Sequence, residues 1–316
     1  MNPLTLARRA ALLLALLPML AAAAPAGLFT IVDGAAPVLL RGTQRLGAAE
    51  GVRVQADDIV RTGADTRLAR LELADGSTLD LGPATELLLR PEALPGRRGA
   101  IGYLLRGWLK VGGEPAGALA TPHGDVTRLA GQGVLRVTHE ALLVFAESGR
   151  IELARDSLAD GDAFVRRDGA GRVLRRPPPE LLDGLPRGFV DTLPRRAAKF
   201  EARRIEPAPL DEAGYADVSA WLNAEPVLRT AFVPRFAPRA TDPAFRSALL
   251  QELRAHPEWD RTLFPEKYRP RPVAVARRAE PAPPAAAVPA AVDLNGLMSW
   301  PMVAPAAPAA PDEDPR

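Results

Sequence analysis

Three histidines and one pair of adjacent aspartates are the side chains of this 316-residue chain whose types invite a search for chemistry: His123, His139, His256 and Asp57-Asp58. A zinc site needs its imidazoles and carboxylates to converge, commonly from one helix face at i, i+4. No two of the histidines have that spacing. His123 follows Thr121-Pro122 in a turn and His256 precedes Pro257 at a helix end, so surface or capping roles are expected of both. Neighbouring residues on a strand point to opposite faces, and in a turn an Asp-Asp pair caps backbone N–H groups. The chain carries neither a Gly-x-Ser-x-Gly nucleophile turn nor a phosphate-binding Gly-rich loop. It contains no cysteine, which removes disulfides, thiolate metal ligands and thiol nucleophiles together. The expectation is a protein with no catalytic residue, no cofactor and no metal. A hydrolase using Asp57, Asp58 or His123 is the weakest alternative.

Binding is the other chemistry that charge and aromatic residues support. Arg97-Arg98 stands between Pro95-Gly96 and Gly99 and reads as an exposed loop tip. From Arg166 to Arg204 the chain holds eleven Lys or Arg against five Asp or Glu, including Arg166, Arg167, Arg175 and Arg176. This stretch is either a solvated surface or a site for an anionic partner. Trp108, Trp221 and Trp259 each sit in an apolar-patterned run and are expected in cores.

The elements that position these residues are mostly strands. Leu71, Leu73, Leu79 and Leu81 alternate with polar or small residues on either side of Asp75-Gly76, which predicts a strand, a tight turn and a strand with one face buried. Short alternating runs recur from about Leu28 to Arg176, separated by Asp33-Gly34, Gly112-Gly113, Ser148-Gly149, Asp160-Gly161 and Asp168-Gly169. Many short strands with such punctuation predict a sandwich, barrel or β-solenoid over residues 28–176. Pro177-Pro178-Pro179 closes the region, and residues 177–210 read as a stiff junction followed by a charged helix from Phe189 to Arg204. Residues 211–268 carry a helical repeat of period 31: Asp211/Asp242 as caps, Val218/Leu249 and Leu222/Leu253 on one face, and Pro226/Pro257 as breakers. Two such units are expected to pack on each other or on the β region. Residues 269–316 are Pro- and Ala-rich, too poor in apolar side chains to fold, with the island Leu294–Trp300 as a docking motif or as noise.

The β region resembles the FecR-type periplasmic domain. Gly34–Gly42 (GAAPVLLRG), Val52–Gly63 (VRVQADDIVRTG) and Ala69–Pro83 (ARLELADGSTLDLGP) follow one another as its strand and turn motifs do. Gly107–Val111, Ala120–Gly124 and Val134–Leu153 continue the series. The resemblance spans roughly Ala35 to Leu153. Asp57 stands where the family has Gly, and Gly131-Gln132-Gly133 replaces its Gly-Thr turn, which implies reshaped turns on the same fold. Signalling members join this domain to a cytoplasmic anti-sigma segment and one membrane span.

Here the start of the chain reads instead as an export signal. Arg8-Arg9 precede the apolar run Ala10–Leu20 and small residues that allow cleavage near Ala23 or Ala26. The formal charge is +2, but removing Arg8 and Arg9 from the 40 basic residues leaves 38 against 38 acidic ones, which gives no ground for a nucleic-acid partner. What the resemblance and the signal together imply is a periplasmic envelope protein of Gram-negative type. It would act as a non-enzymatic scaffold or signalling-associated binding module, with no membrane span after cleavage. The alternative is an envelope protein that binds peptidoglycan or polysaccharide.

Overall fold

A computed structural model describes residues 26–92 and 94–269. The expected export segment, apart from Ala26, and nearly all of the Pro- and Ala-rich tail with its Leu294–Trp300 island lie outside the described residues.

The described residues are sheet-rich, followed by short helices. β1 (Gly27–Gly34), β2 (Val38–Arg41), β3 (Gln44–Gly47), β4 (Arg53–Val54), β5 (Ile59–Arg61), β6 (Thr66–Leu73), β7 (Thr78–Leu81) and β8 (Glu86–Leu89) come first. β9 (Gly102–Gly113), β10 (Leu119–Ala120), β11 (Val126–Val137), β12 (Ala141–Leu153), β13 (Asp156–Leu158), β14 (Ala163–Arg167) and β15 (Ala170–Leu174) follow, and β16 (Ala208–Glu212) arrives after an excursion. All belong to one sheet, which runs β15-β14-β12-β11-β10-β9-β8-β5-β2-β3-β16, with β1, β4, β6 and β7 branching from β9.

β9 is the hub. Its first half pairs with β8 and its second half with β7, while β11 runs along its other edge from Gly107 onward. The bend between the halves falls at Gly107, whose φ of 101° and whose distance to the Thr85 backbone (a Cβ would lie 2.4 Å from its Cα) admit only glycine. The expected Asp75-Gly76 turn joins β6 to β7, with Gly76 at φ 81° and the Asp75 carboxylate accepting from the Ser77 N–H. Ser148-Gly149 makes no turn: β12 passes straight through it. Gly149 lies opposite Gly131, both with positive φ, and the register slips between Gln132 and Gly133. A glycine pair across a ladder absorbs a bulge as readily as it makes a turn.

One face of the strands meets in a single core that includes Phe29, Leu39, Val60, Leu71, Leu79, Leu109, Leu135, Val144 and Ile151. The sheet is therefore curled about its own apolar face. Its outer face is covered twice. Over β6, β9, β11 and β12, Leu68, Trp108, Val134 and Leu143 pack against Leu181 and Phe189 of the following segment. Over β2, β5 and β8, Leu40, Ile59 and Leu88 pack against the helices.

The first cover is not the charged helix expected over Phe189–Arg204. Residues 177–206 contain α1 (Pro179–Leu182) and two short 3-10 turns, Arg187–Phe189 and Ala197–Phe200, and otherwise run extended as a strap. Leu181, Leu185, Phe189 and Leu193 keep a spacing of four and all pack on the sheet. Pro186 within that series and Pro194 directly after it withhold the N–H groups that a helix would need.

The second cover consists of α2 (Tyr215–Leu222), α3 (Pro226–Phe236), α4 (Pro243–Gln251) and α5 (Asp260–Leu263). The two predicted repeat units differ at their starts. Asp242 caps α4, accepting from the Phe245 N–H at 2.9 Å. Asp211 lies in β16 and pairs with Arg45, while α2 starts at Gly214 with Asp217 reaching back to the Gly214 N–H. Trp221 and Trp259 are fully buried in this layer, and Trp108 is buried beneath the strap.

Candidate functional site

An open apolar groove lies along α3. Pro226 opens this helix at a position where no N–H is required. Leu228, Phe232 and Phe236, four residues apart, form the stripe buried against the sheet. The neighbouring stripe, Val227, Thr230, Ala231 and Pro234, faces outward and forms one wall of a groove of about 540 Å³ with Pro95 opposite. Val227 is 47% exposed.

Ala231 and its neighbours also line a second cleft of about 290 Å³. One side is apolar, with Leu88, Leu94 and Phe232; the other carries Arg41, Gln55, Asp57, Asp58 and Arg235. Asp58 is buried and takes Arg41 side-on, with Nε at 3.0 Å and Nη2 at 2.6 Å, while also accepting the Gln55 N–H at 2.9 Å. Arg235 donates to three backbone carbonyls, Leu40 at 2.7 Å, Asp57 at 2.8 Å and Gly42 at 3.1 Å. Its guanidinium also lies over the rings of Phe232 and Phe236. Burial pulls the Arg235 pKa below the ordinary arginine value, against the opposing pull of Asp58 and Asp57. Two cations and two carboxylates on the same wall balance, so the cleft is not built for a free anion. Asp57 takes a left-handed backbone, φ 62°, a conformation that non-glycine residues rarely adopt.

No family model matches the chain, and no curated protein matches it. Among solved structures, two crystal structures of a Parabacteroides distasonis protein described as a candidate anti-sigma factor align with it at a TM-score of 0.30, with 12% and 14% sequence identity. The overlap covers 37% of this chain and 57% of theirs, so the chain spans little more than half the length of these structures.

The arginines singled out in the sequence do not gather in one site. Arg97 is half-buried, paired with Asp125, and within 3.9 Å of Glu225; only Arg98 is exposed at that loop. Arg166 donates to the His123 carbonyl at 2.9 Å and lies over Phe164. Arg167 pairs with Glu180, and Arg175 reaches Asp162 at 3.3 Å while its side chain stays 90% exposed. Arg176 is exposed and has no ion pair among the described residues.

The strap accounts for much of the remaining charge. Arg70 and Asp80 form a buried side-on pair at 2.6 and 2.7 Å, and Arg70 also donates to the Leu193 carbonyl. Lys110 holds Glu147 at 2.6 Å and the Phe189 carbonyl at 2.6 Å. Glu72 accepts the N–H groups of Arg196 and Ala197 at 2.6 and 3.2 Å. These polar side chains of β6, β7 and β9, expected in water, hold the strap onto the sheet. A polar cavity of about 150 Å³ remains between them, lined by Arg70, Asp80, Lys110, Gln132 and Asp191 among others.

The histidines stay apart, and among the described residues no group of three potential metal ligands converges. His123 bonds the Thr138 carbonyl at 2.9 Å through Nε2. His256 departs from its expected surface or capping role: it is fully buried and bonds the Tyr215 hydroxyl at 2.8 Å. Among the described residues no helix is long and apolar enough to cross a membrane.

The groove is not legible in the sequence because Pro226 reads there only as a breaker between two short helices, with no outward face assigned to the helix it opens. Pro234 lies inside α3. The available signal was the doubled stripe: Val227, Ala231 and Pro234 beside Leu228, Phe232 and Phe236 make the helix more apolar than one buried face requires.

Proposed function

We propose that this chain is a non-enzymatic interaction module of the cell envelope, exported to the periplasm, that binds an extended apolar segment of a partner protein in the α3 groove. The observation that carries this reading is the groove itself, which opens directly beside the Arg41–Asp58–Arg235 cleft. From Pro226 to Pro234 the helix presents about 13 Å of length, enough for about four residues of extended chain. Apolar pockets with a few fixed polar groups at one end are the usual form of a binding site. The cleft's charged side chains are held by one another and by backbone carbonyls, which suits recognition rather than proton transfer. The ordered FecR-type motifs and the export-like start support the envelope setting. Ala26 packs at the margin of the sheet and donates to the Val54 carbonyl at 2.8 Å, which favours cleavage after Ala23 over cleavage after Ala26.

The test is photo-crosslinking in cells from a reactive residue at position 227 or 230, compared with one at exposed Leu182 on the strap. The groove positions should trap a discrete protein adduct that Leu182 does not, and Ala231→Arg, which fills the groove, should reduce it about tenfold. Equal adducts from all three positions, or an adduct that survives Ala231→Arg, sinks the reading. Retention on purified peptidoglycan without a protein adduct would turn it toward the polysaccharide alternative.

A further inference from the structure

The two edges of the sheet differ in kind. At the β16 edge, Pro209 withholds an N–H and the pairing with β3 slips between Pro209 and Glu212. A proline and an irregular register are the usual means of blunting an edge. The β15 edge has neither. Ala170–Leu174 pairs with β14 in unbroken register, from Arg167↔Ala170 to Ala163↔Leu174, and no further strand pairs with it among the described residues.

The turn fixes which backbone groups remain open. Asp168 and Gly169 have φ of 48° and 76°, the signature of a two-residue type I′ hairpin. The closing pair Arg167↔Ala170 then exchanges both hydrogen bonds, and alternation makes Val165↔Arg172 and Ala163↔Leu174 the next bonded pairs. The N–H and C=O of Gly171 and Val173 are left pointing away from β14, toward solvent. Ala170, Gly171, Arg172 and Val173 are all exposed.

Charge specifies what would pair there. Arg172 and Arg176 have no ion pair among the described residues, and the Arg175 side chain is 90% exposed while reaching Asp162. We propose that the β15 edge takes an extended acidic segment of a partner protein as an added strand. Its backbone would exchange hydrogen bonds with Gly171 and Val173, and its carboxylates would meet Arg172, Arg175 and Arg176. Strand addition of this kind draws affinity from the main chain and specificity from alternate side chains. The edge is separate from the α3 groove and does not depend on it.

The test uses the full chain and a fluorescein-labelled peptide of alternating Glu and Val, read by anisotropy. Three controls accompany it: a Lys-Val peptide, a Glu-Val peptide N-methylated at alternate amides, and the double variant R172E/R176E, checked for its fold by circular dichroism. The Glu-Val peptide should bind, should slow amide exchange at Gly171 and Val173, and should weaken about tenfold in R172E/R176E and on raising salt. The Lys-Val and N-methylated peptides should not bind, and Ala231→Arg in the groove should leave binding unchanged. No binding of the Glu-Val peptide would mean that the arginines only keep the edge from pairing, and would overturn the proposal. Equal binding of the N-methylated peptide, or binding that ignores R172E/R176E, would overturn it as well.

Discussion

Single residues in this molecule are decided by what covers them. Arg235 is a cation with three carbonyls and two rings around it, a setting that lysine, with a compact ammonium and no planar face, cannot reproduce. His256 is the clearest case. Burial lowers its pKa below the ordinary histidine value, outweighing the Leu222 backbone and the carboxylates of Glu258 and Glu252, which favour the cation; Arg229 adds to the lowering. The folded state thus refuses a proton that the unfolded chain accepts. Stability is then complete above a pH of about 6.5, the unfolded histidine value, and declines as the pH falls below it toward the folded value. Urea denaturation between pH 7 and 5.5 should show this decline in the natural protein and a flatter profile in His256→Gln. Parallel profiles would show that His256 is not the group responsible.

At the scale of elements, the strap is held both by its apolar row, Leu181, Leu185, Phe189 and Leu193, and by specific polar partners on the sheet. Glu72 receives two backbone N–H groups of residues 196 and 197 and lies on β6, more than a hundred positions earlier. Glu72→Ala leaves those groups without their acceptor and should cost about 1–3 kcal/mol. It should also speed tryptic cleavage after Arg195, Arg196 and Lys199 ahead of the rest of the chain. A digestion pattern identical to that of the natural protein would remove the strap's dependence on Glu72. The same carboxylate marks the limit of pattern reading. Leu71, Leu73, Leu79 and Leu81 give the β6–β7 hairpin its buried face by alternation alone. Alternation names the other face polar without saying what lies on it, and here Arg70, Glu72 and Asp80 are buried under distant chain. The charged stretch from Phe189 to Arg204 suits a helix by composition, but Pro194 within it withholds an N–H, and only Ala197–Phe200 forms a short 3-10 turn there.

At the scale of the whole molecule, the helices are not an appended module. Trp221, Phe232 and Leu249 share a core with Leu40, Ile59 and Leu88 of the sheet, so removing either side exposes the other. Residues 26–269 should therefore unfold in one transition. Tryptophan fluorescence, which reports Trp221 and Trp259 in the helical layer and Trp108 under the strap, should coincide in urea with the far-ultraviolet signal of the sheet. An earlier fluorescence transition would show that the helical layer unfolds on its own. The groove and the open β15 edge belong to this scale too. Neither is visible as a motif, since the groove needs Pro95 brought to α3 and the edge needs the strand order of the entire sheet.

The seating of β16 on β3 ties synthesis to completion. Arg45 waits for Asp211, 166 positions further along, and no nearer strand takes its place. Until that late segment arrives, β3 is a raw border, and the outer face of β2, β5 and β8 lies bare because its helices follow β16. Closing a loop of this length is slow relative to forming the hairpins that precede it. A chain delivered from its N-terminus thus carries that border and that apolar face uncovered until β16 and the helices after it have emerged.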